Sequence, residues 1–332
     1  TQASTERVFL VAVVAKGRKD GWPVEVSIGE LARLANTAGA KVVGKLIQRL
    51  PMPSATHYLG KGKLAELLEL KDSINYNVVI FDDELSPLQQ RNLEGILQVK
   101  VIDRVALILD VFARRARTRD GQLQVKLAQH QYLLPRLTGR WSHLERLGGG
   151  IGTRGPGESQ LETDRRLIHR RIHQLKGQIE EIRKHRRLYR QQRKNRGIPV
   201  VALVGYTNAG KSALLNALSH ADVFIGNKLF ATLNPTTRRL TLPDKTVLIT
   251  DTVGFIRKLP PTIVTAFRAT LEELAEADLL LHVVDLASHN APEQCQSVED
   301  ILADLNLMDK PKITALNKID LLLDAGRTWD EE

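Results

Sequence analysis

The sequence predicts an α/β protein in three parts: a small N-terminal parallel sheet, an antiparallel helical hairpin, and a second α/β domain. Three observations lead there. Apolar runs of strand length alternate with helical stretches over residues 1–104. Apolar residues then recur at intervals of three and four through 105–197, broken by a run of glycines. Over 198–332 apolar strands again end in glycine-bearing or acidic turns. Such periods separate strand from helix before any motif is considered.

In the first part, VFLVAVVA (Val8–Ala15) is a strand. SIGELARLANTAG follows as a helix, with Ser27 and Glu30 at capping-box spacing. KVVGKLIQ (Lys41–Gln48) is the next strand, followed by a helix from Gly62 to Leu70 and the strand NVVIFDD. Ser86 and Pro87 suit the N-cap and first turn of a helix reaching Leu97, and QVKVID closes the series. Strands connected through helices pair in parallel with both faces covered. YLGKGKLAEL lacks full phosphate-loop spacing and carries no nucleotide expectation.

In the second part, Leu123, Leu127, His130, Leu134, Leu137, Trp141 and Leu144 form one helical seam, and Leu161, Ile168, Ile172, Leu175, Ile179 and Ile182 form another. Pro135 should kink the first arm, His130 should be a satisfied interior residue, and Ser159 with Glu162 should cap the second arm. Between the arms stands GGGIGTRGPGE, in which Gly150–Gly155 matches G-x-G-x-x-G. No strand precedes it, so a dinucleotide loop is not expected. Glycines at 148–157 instead form a hairpin tip able to approach another surface closely. Candidate RNA contacts are Arg146, Gly149, Gly150, Gly152, Arg154, Gly155, Arg165 and Arg166.

Charge supports a polyanionic partner. The net charge is +10, divided as +2 over residues 1–104, +14 over 105–198 and −6 over 199–332. A basic block on a balanced chain is the footprint of a polyanion partner, and a crowded, phosphate-rich crevice of structured RNA suits a glycine probe. Cys295 is the only cysteine, which excludes an intrachain disulfide or a cysteine metal site and fits a reducing cytoplasm. No signal peptide or membrane-length apolar run is read.

The chemistry lies in the third part. IPVVALVGYTNAGKSALLNAL is strand, loop and helix, and Gly205, Tyr206, Thr207, Asn208, Ala209, Gly210, Lys211 and Ser212 spell a complete phosphate loop. Its backbone N–H groups cradle phosphates, Lys211 supplies a point charge, and Ser212 ligates Mg²⁺. TVLITDTVGF ends a strand at Asp251 and continues through Thr252 and Val253 to Gly254, giving D-x-x-G. That carboxylate reaches Mg²⁺ through water, and the Gly254 N–H reaches a γ-phosphate. Asn317, Lys318, Ile319 and Asp320 form N-K-x-D after another strand, which selects guanine: a carboxylate accepts from two guanine donors that adenine lacks. The three motifs in order describe a P-loop GTPase domain. A threonine between the first two should meet Mg²⁺ and the γ-phosphate, and position alone leaves Thr232, Thr236 and Thr237 open.

The ordered set GGGIGTRGPGE…TDRR, GYTNAGKS, FATLNPTTR, DTVGFI and NKID resembles the HflX family of translational GTPases along the whole chain. The resemblance implies a GTP hydrolase that binds the large ribosomal subunit and its RNA, splits stalled or idle ribosomes, and sends its glycine tip toward the peptidyl-transferase centre. It implies Thr232 as the Mg²⁺ ligand, within Phe230, Ala231, Thr232, Leu233 and Asn234 at the nucleotide; Asn234 replaces a more usual Asp. Lys211, Thr232 and Gly254 become the expected catalytic groups, and Mg²⁺ the cofactor. Phe255 stands where many GTPases place a water-orienting glutamine, so slow hydrolysis stimulated by the ribosome is expected. After NKID the last strand, its guanine-contacting turn and the closing helix have no counterpart, so the domain reads as incomplete. The expected chain is cytoplasmic, ribosome-associated, free of membrane and DNA, and monomeric when free. Alternative readings are an RNA-binding adaptor switched by GTP and an RNA-modification GTPase.

Overall fold

A computed structural model of the chain describes residues 6–16, 22–139, 156–195, 197–219, 229–230, 232–233, 235–260, 263 and 268–322. Contacts divide the chain into two units, Thr1–Arg114 with Leu123–Gln178, and Arg115–Gln122 with Ile179–Glu332.

The first unit holds β1 (Arg7–Ala15), α1 (Val24–Thr37), β2 (Lys41–Leu50), α2 (Lys61–Ile74), β3 (Val78–Phe81), α3 (Pro87–Leu97), β4 (Lys100–Asp103) and most of α4 (Arg104–Arg115). The sheet runs β2-β1-β3-β4 and every pairing is parallel, as the alternation of strands and helices requires. Phe9, Val11, Val79, Phe81 and Val101 share one buried cluster with Leu67 of α2 and Leu93 of α3. Ser86 accepts from the Gln89 N–H while Gln89 reaches back to the Ser86 N–H, so α3 opens on a full capping box.

The expected cap on α1 is not there. The helix begins at Val24 behind Pro23, a turn before Ser27. Ser27 is buried and donates to Asp82 Oδ2 at 2.7 Å. Glu30 is buried against Arg104, whose second nitrogen reaches Asp82 Oδ1 at 2.9 Å. The spacing that suggests a cap instead turns two polar side chains inward, onto a fully buried guanidinium.

The helical arms are α5 (Arg119–Leu133) and α6 (Pro156–Asn195), and the division between the units falls within both. Within the first unit, Leu123, Leu127, Ile172 and Leu175 are buried, as the seams predict. Pro135 does not kink α5; the helix stops at Leu133 and a 3-10 turn covers Leu134–Gly139. The missing N–H and the ring's clash with the preceding turn end a helix here rather than bend it. α6 starts at Pro156, so Ser159 and Glu162 lie inside it rather than at its N-terminus; proline at a first helical position accounts for the earlier start. His130 is half-buried and its Nδ1 has no partner among the described residues, so it is not the satisfied residue expected. Burial, then Arg171 and Lys126, push its pKa down. Trp141, Leu144 and residues 148–155 of the tip lie outside the described residues, whereas Pro156 and Gly157, expected in the tip, already belong to α6.

The second unit carries β5 (Val200–Val204), α7 (Lys211–Ser219), β6 (Thr236–Thr241), β7 (Thr246–Asp251), α8 (Arg268–Glu276), β8 (Leu279–Asp285), α9 (Ala291–Asp304) and β9 (Lys312–Asn317). Its sheet runs β6-β7-β5-β8-β9, with β6 antiparallel to β7 and the rest parallel. β5 is central, so the loop after it opens where ligands sit on such sheets, beyond the strands' C-terminal ends. No described helix is long and apolar enough to cross a membrane.

Arg104 is the test of the first unit. Arg104→Leu leaves Asp82 and Glu30 buried without their cation and should cost about 3–5 kcal/mol, read as a lower urea midpoint. Neutralising both carboxylates in the same chain, with Asp82→Asn and Glu30→Gln, should restore part of the loss.

Candidate functional site

The phosphate loop turns on two glycines. Gly205 has φ +149° and a Cβ there would lie 2.3 Å from the Val283 carbonyl oxygen. Gly210 has φ +98° and a Cβ would meet Asn317 Nδ2 at 2.0 Å. Both positions demand glycine, for the backbone angle and for the closeness of the neighbouring strand or loop. Lys211 then opens α7, with its side chain folded back over the loop: Nζ donates to Gly205 O at 3.0 Å and Tyr206 O at 2.7 Å. The side chain is buried, and that burial lowers its pKa to about 8 although Asp251 works in the opposite sense.

Three oxygens of the predicted metal set meet at the end of β7. Ser212 Oγ donates to Asp251 Oδ2 at 2.6 Å and Thr232 Oγ1 donates to the same oxygen at 2.7 Å. The two hydroxyls are 2.8 Å apart. The other carboxylate oxygen, Asp251 Oδ1, is buried without a partner among the described residues. Hard oxygen donors around a buried carboxylate fit Mg²⁺, which prefers few protein ligands beside phosphate and water. Thr236 pairs with Asp251 across the β6–β7 ladder, and the Thr237 hydroxyl meets Thr250 at 2.9 Å. Of the three threonines, only Thr232 has its hydroxyl on Asp251 among the described contacts.

Gly254 lies against the phosphate loop; a Cβ on it would meet Thr207 Cα at 2.7 Å and Lys211 Nζ at 3.0 Å. The next residue closes a clip: Phe255 N donates to Gly205 O at 3.1 Å, and Thr207 N donates to Phe255 O at 2.7 Å. Phe255 is buried and apolar, so its side chain offers nothing to orient water. Thr252 is turned inward, its hydroxyl on Leu203 O at 2.6 Å, and Val253 is buried. Phe230 and Leu233 are buried on either side of Thr232; Ala231 and Asn234 lie outside the described residues.

The N-K-x-D residues run from Asn317, the last residue of β9, into the turn that follows. Asn317 Nδ2 donates to Ala209 O at 2.8 Å, bracing the phosphate loop as its position suggests. Lys318, at φ +62°, reaches Asn208 O at 3.0 Å and Asp285 Oδ2 at 2.7 Å. Ile319 and Asp320 open a 3-10 turn with Asp320 exposed. Sequence reading missed Asp285. Its signal was present: LLLHVVD is an apolar strand ending in a carboxylate, as TVLITD is at Asp251.

The RNA-contact set divides. Arg165 and Arg166 are exposed on α6, the latter paired with Glu162 at 2.8 Å. Arg146, Gly149, Gly150, Gly152, Arg154 and Gly155 lie outside the described residues. α6 carries twelve Lys and Arg against five Asp and Glu.

Family models match three consecutive stretches: a GTP-binding GTPase N-terminal region over residues 25–113, a GTP-binding GTPase middle region over 115–193, and a 50S ribosome-binding GTPase over 200–318. GTPase HflX of Caldanaerobacter subterraneus is 54% identical over 318 residues, 96% of this chain and 73% of that protein. GTPase HflX of Lacrimispora saccharolytica is 51% identical over 97% of this chain and 75% of its own length. GTPase HflX of Escherichia coli is 47% identical, covering 89% and 70%. Among solved structures, that of the SsGBP–GDP complex aligns with a TM-score of 0.50 and 27% identity, over 95% of this chain and 83% of that one.

The depressed Lys211 gives a pH test. Below about pH 8 the ammonium is already charged. Above it, a bound triphosphate must recruit a proton to that nitrogen, so affinity should fall with rising pH, by up to about tenfold per unit. Calorimetry at pH 7 and 9 in buffers of different ionisation enthalpy should show proton uptake only at the higher pH, and none in Lys211→Met. The same depression means that this group's burial penalty on the folded, nucleotide-free chain is relieved as pH rises from about 8 toward the unfolded value of 10.5.

Proposed function

The chain belongs to the HflX family of GTPases, and on that premise we propose that it docks on the large ribosomal subunit and uses GTP to separate stalled or idle ribosomes. The observation that carries the reading is where the charge lies. Residues 105–198 hold 22 Lys and Arg against 8 Asp and Glu, while residues 199–332 are net −6. The excess is on the helical arms, not on the nucleotide domain. Phosphate backbones bind such a surface through release of counterions.

The nucleotide's part follows from the geometry after β5. Backbone N–H groups of the Gly205–Ser212 loop other than those of Thr207 and Ala209, which are bonded to Phe255 O and Tyr206 O, hold the phosphates, and Lys211 leaves its two carbonyl contacts for them. Ser212 and Thr232 hold Mg²⁺, with Asp251 behind them; the ion, when bound, neutralises charge on the β- and γ-phosphates. Gly254 N–H and Thr232 N–H meet the γ-phosphate, so each contact is lost on hydrolysis. Asn317 keeps the loop in place, the Lys318 stem covers the base and Asp320 accepts from it. GTP drives docking only through contacts it makes better in the docked state, because equal affinity shifts no equilibrium. Phe255 leaves the attacking water without a side-chain guide, so the free chain hydrolyses GTP slowly and ribosomal contact supplies order. The glycine tip and Arg146, Arg154, Arg165 and Arg166 touch ribosomal RNA.

Sedimentation of intact ribosomes incubated with the chain should show subunits with GTP and intact particles with GDP. Turnover should rise on adding large subunits, and subunit affinity should fall steeply with salt. Turnover unchanged by subunits, with no splitting, would favour the adaptor or RNA-modification reading. Base recognition has its own check: Asp320→Asn should move preference from guanine to xanthine nucleotides in competition binding, because an amide donates to the xanthine carbonyl.

A further inference from the structure

Thr207 stands at the third position of the phosphate loop, where the motif requires no particular residue. Its side chain is buried. The hydroxyl oxygen accepts the Phe230 N–H at 3.1 Å, a bond across 23 residues. Phe230 itself is buried and held at φ +55°, a region costly for an aromatic residue. That bond ties a buried, left-handed turn to the phosphate loop. On its other side Thr207 donates its own N–H to Phe255 O at 2.7 Å, and its Cα and Cβ lie against Gly254. One residue therefore touches both segments that contact a γ-phosphate. Two residues beyond Phe230, the Thr232 hydroxyl sits on Asp251 at 2.7 Å.

We propose that the Thr207 hydroxyl is a positioning group: by holding Phe230 in its left-handed turn it sets Thr232 on the metal site, so that triphosphate and Mg²⁺ are bound together. It acts through Thr232, and Thr232 acts through the metal. This rests on the GTPase reading of the site and adds a specificity element to it, a reason why the chain tells GTP from GDP.

The test uses fluorescent GMPPNP and GDP binding to the full chain with Mg²⁺ and with EDTA. Thr207→Val keeps the shape and removes the hydroxyl. It should weaken GMPPNP about tenfold with Mg²⁺, in line with the loss of one buried hydrogen bond, and change GDP and EDTA values less than about twofold. Thr207→Ser restores the hydroxyl and should recover parent GMPPNP binding. Hydrolysis should follow, with kcat lowered in the valine variant and restored in serine. Equal loss of both nucleotides, loss that persists in EDTA, or a serine variant as weak as valine would overturn the proposal, as would a valine variant that binds like the parent. A parent chain that bound neither nucleotide would overturn the GTPase reading itself.

Discussion

The nucleotide site depends on one carboxylate. Asp251 ends β7 fully buried, and a buried carboxylate must be answered by donors. It gathers Ser212 from α7 and Thr232 from the loop before β6 onto a single oxygen, and its charge works against the desolvation of Lys211. Helix start, loop and strand end are thereby brought to one point. The arrangement leaves a second oxygen without a partner among the described residues. Structures retain such an orphan when something else completes it.

How much of this was legible in the sequence varies by the physics involved. Strands β1 and β3 were readable because an apolar run of strand length flanked by polar turns has few other fates. The parallel order followed from the helical connections. The capping boxes at Ser27 and Ser159 failed for a shared reason: the motif is four residues long and names no partner. At Ser27 the competing partner was Asp82, distant in sequence and adjacent in the sheet. At Ser159 a proline three residues earlier had already started the helix. Ser86 succeeded because Pro87 and Gln89 agree with it locally.

The site was legible to the degree that it is local. Gly205, Gly210, Lys211 and Ser212 are set by one loop, and their roles can be read from spacing. The choice of Thr232 over Thr236 and Thr237 was not, since it turns on where β6 begins. Asp285 went unread because its partner Lys318 lies just past the end of the next strand in sequence. The hydroxyl of Thr207 was hidden for the same reason: its acceptor role exists only once Phe230 has folded over it. Buried hydrogen bonds between distant residues are the part of a site that composition and period cannot express.

Asp103 has a consequence beyond its own strand. Fully buried at the end of β4, it caps α4 through Ala106 N at 2.9 Å and accepts the Tyr132 hydroxyl at 2.9 Å and Arg136 at 3.2 Å. Arg136 lies 3.6 Å over the Tyr132 ring and reaches Leu85 O at 2.7 Å. The first arm is thus moored to the sheet before residue 137, by ionic, aromatic and backbone contacts together. One carboxylate therefore ties the start of α4, the Tyr132 hydroxyl and the Arg136 guanidinium to the end of β4, so its loss would release all three together.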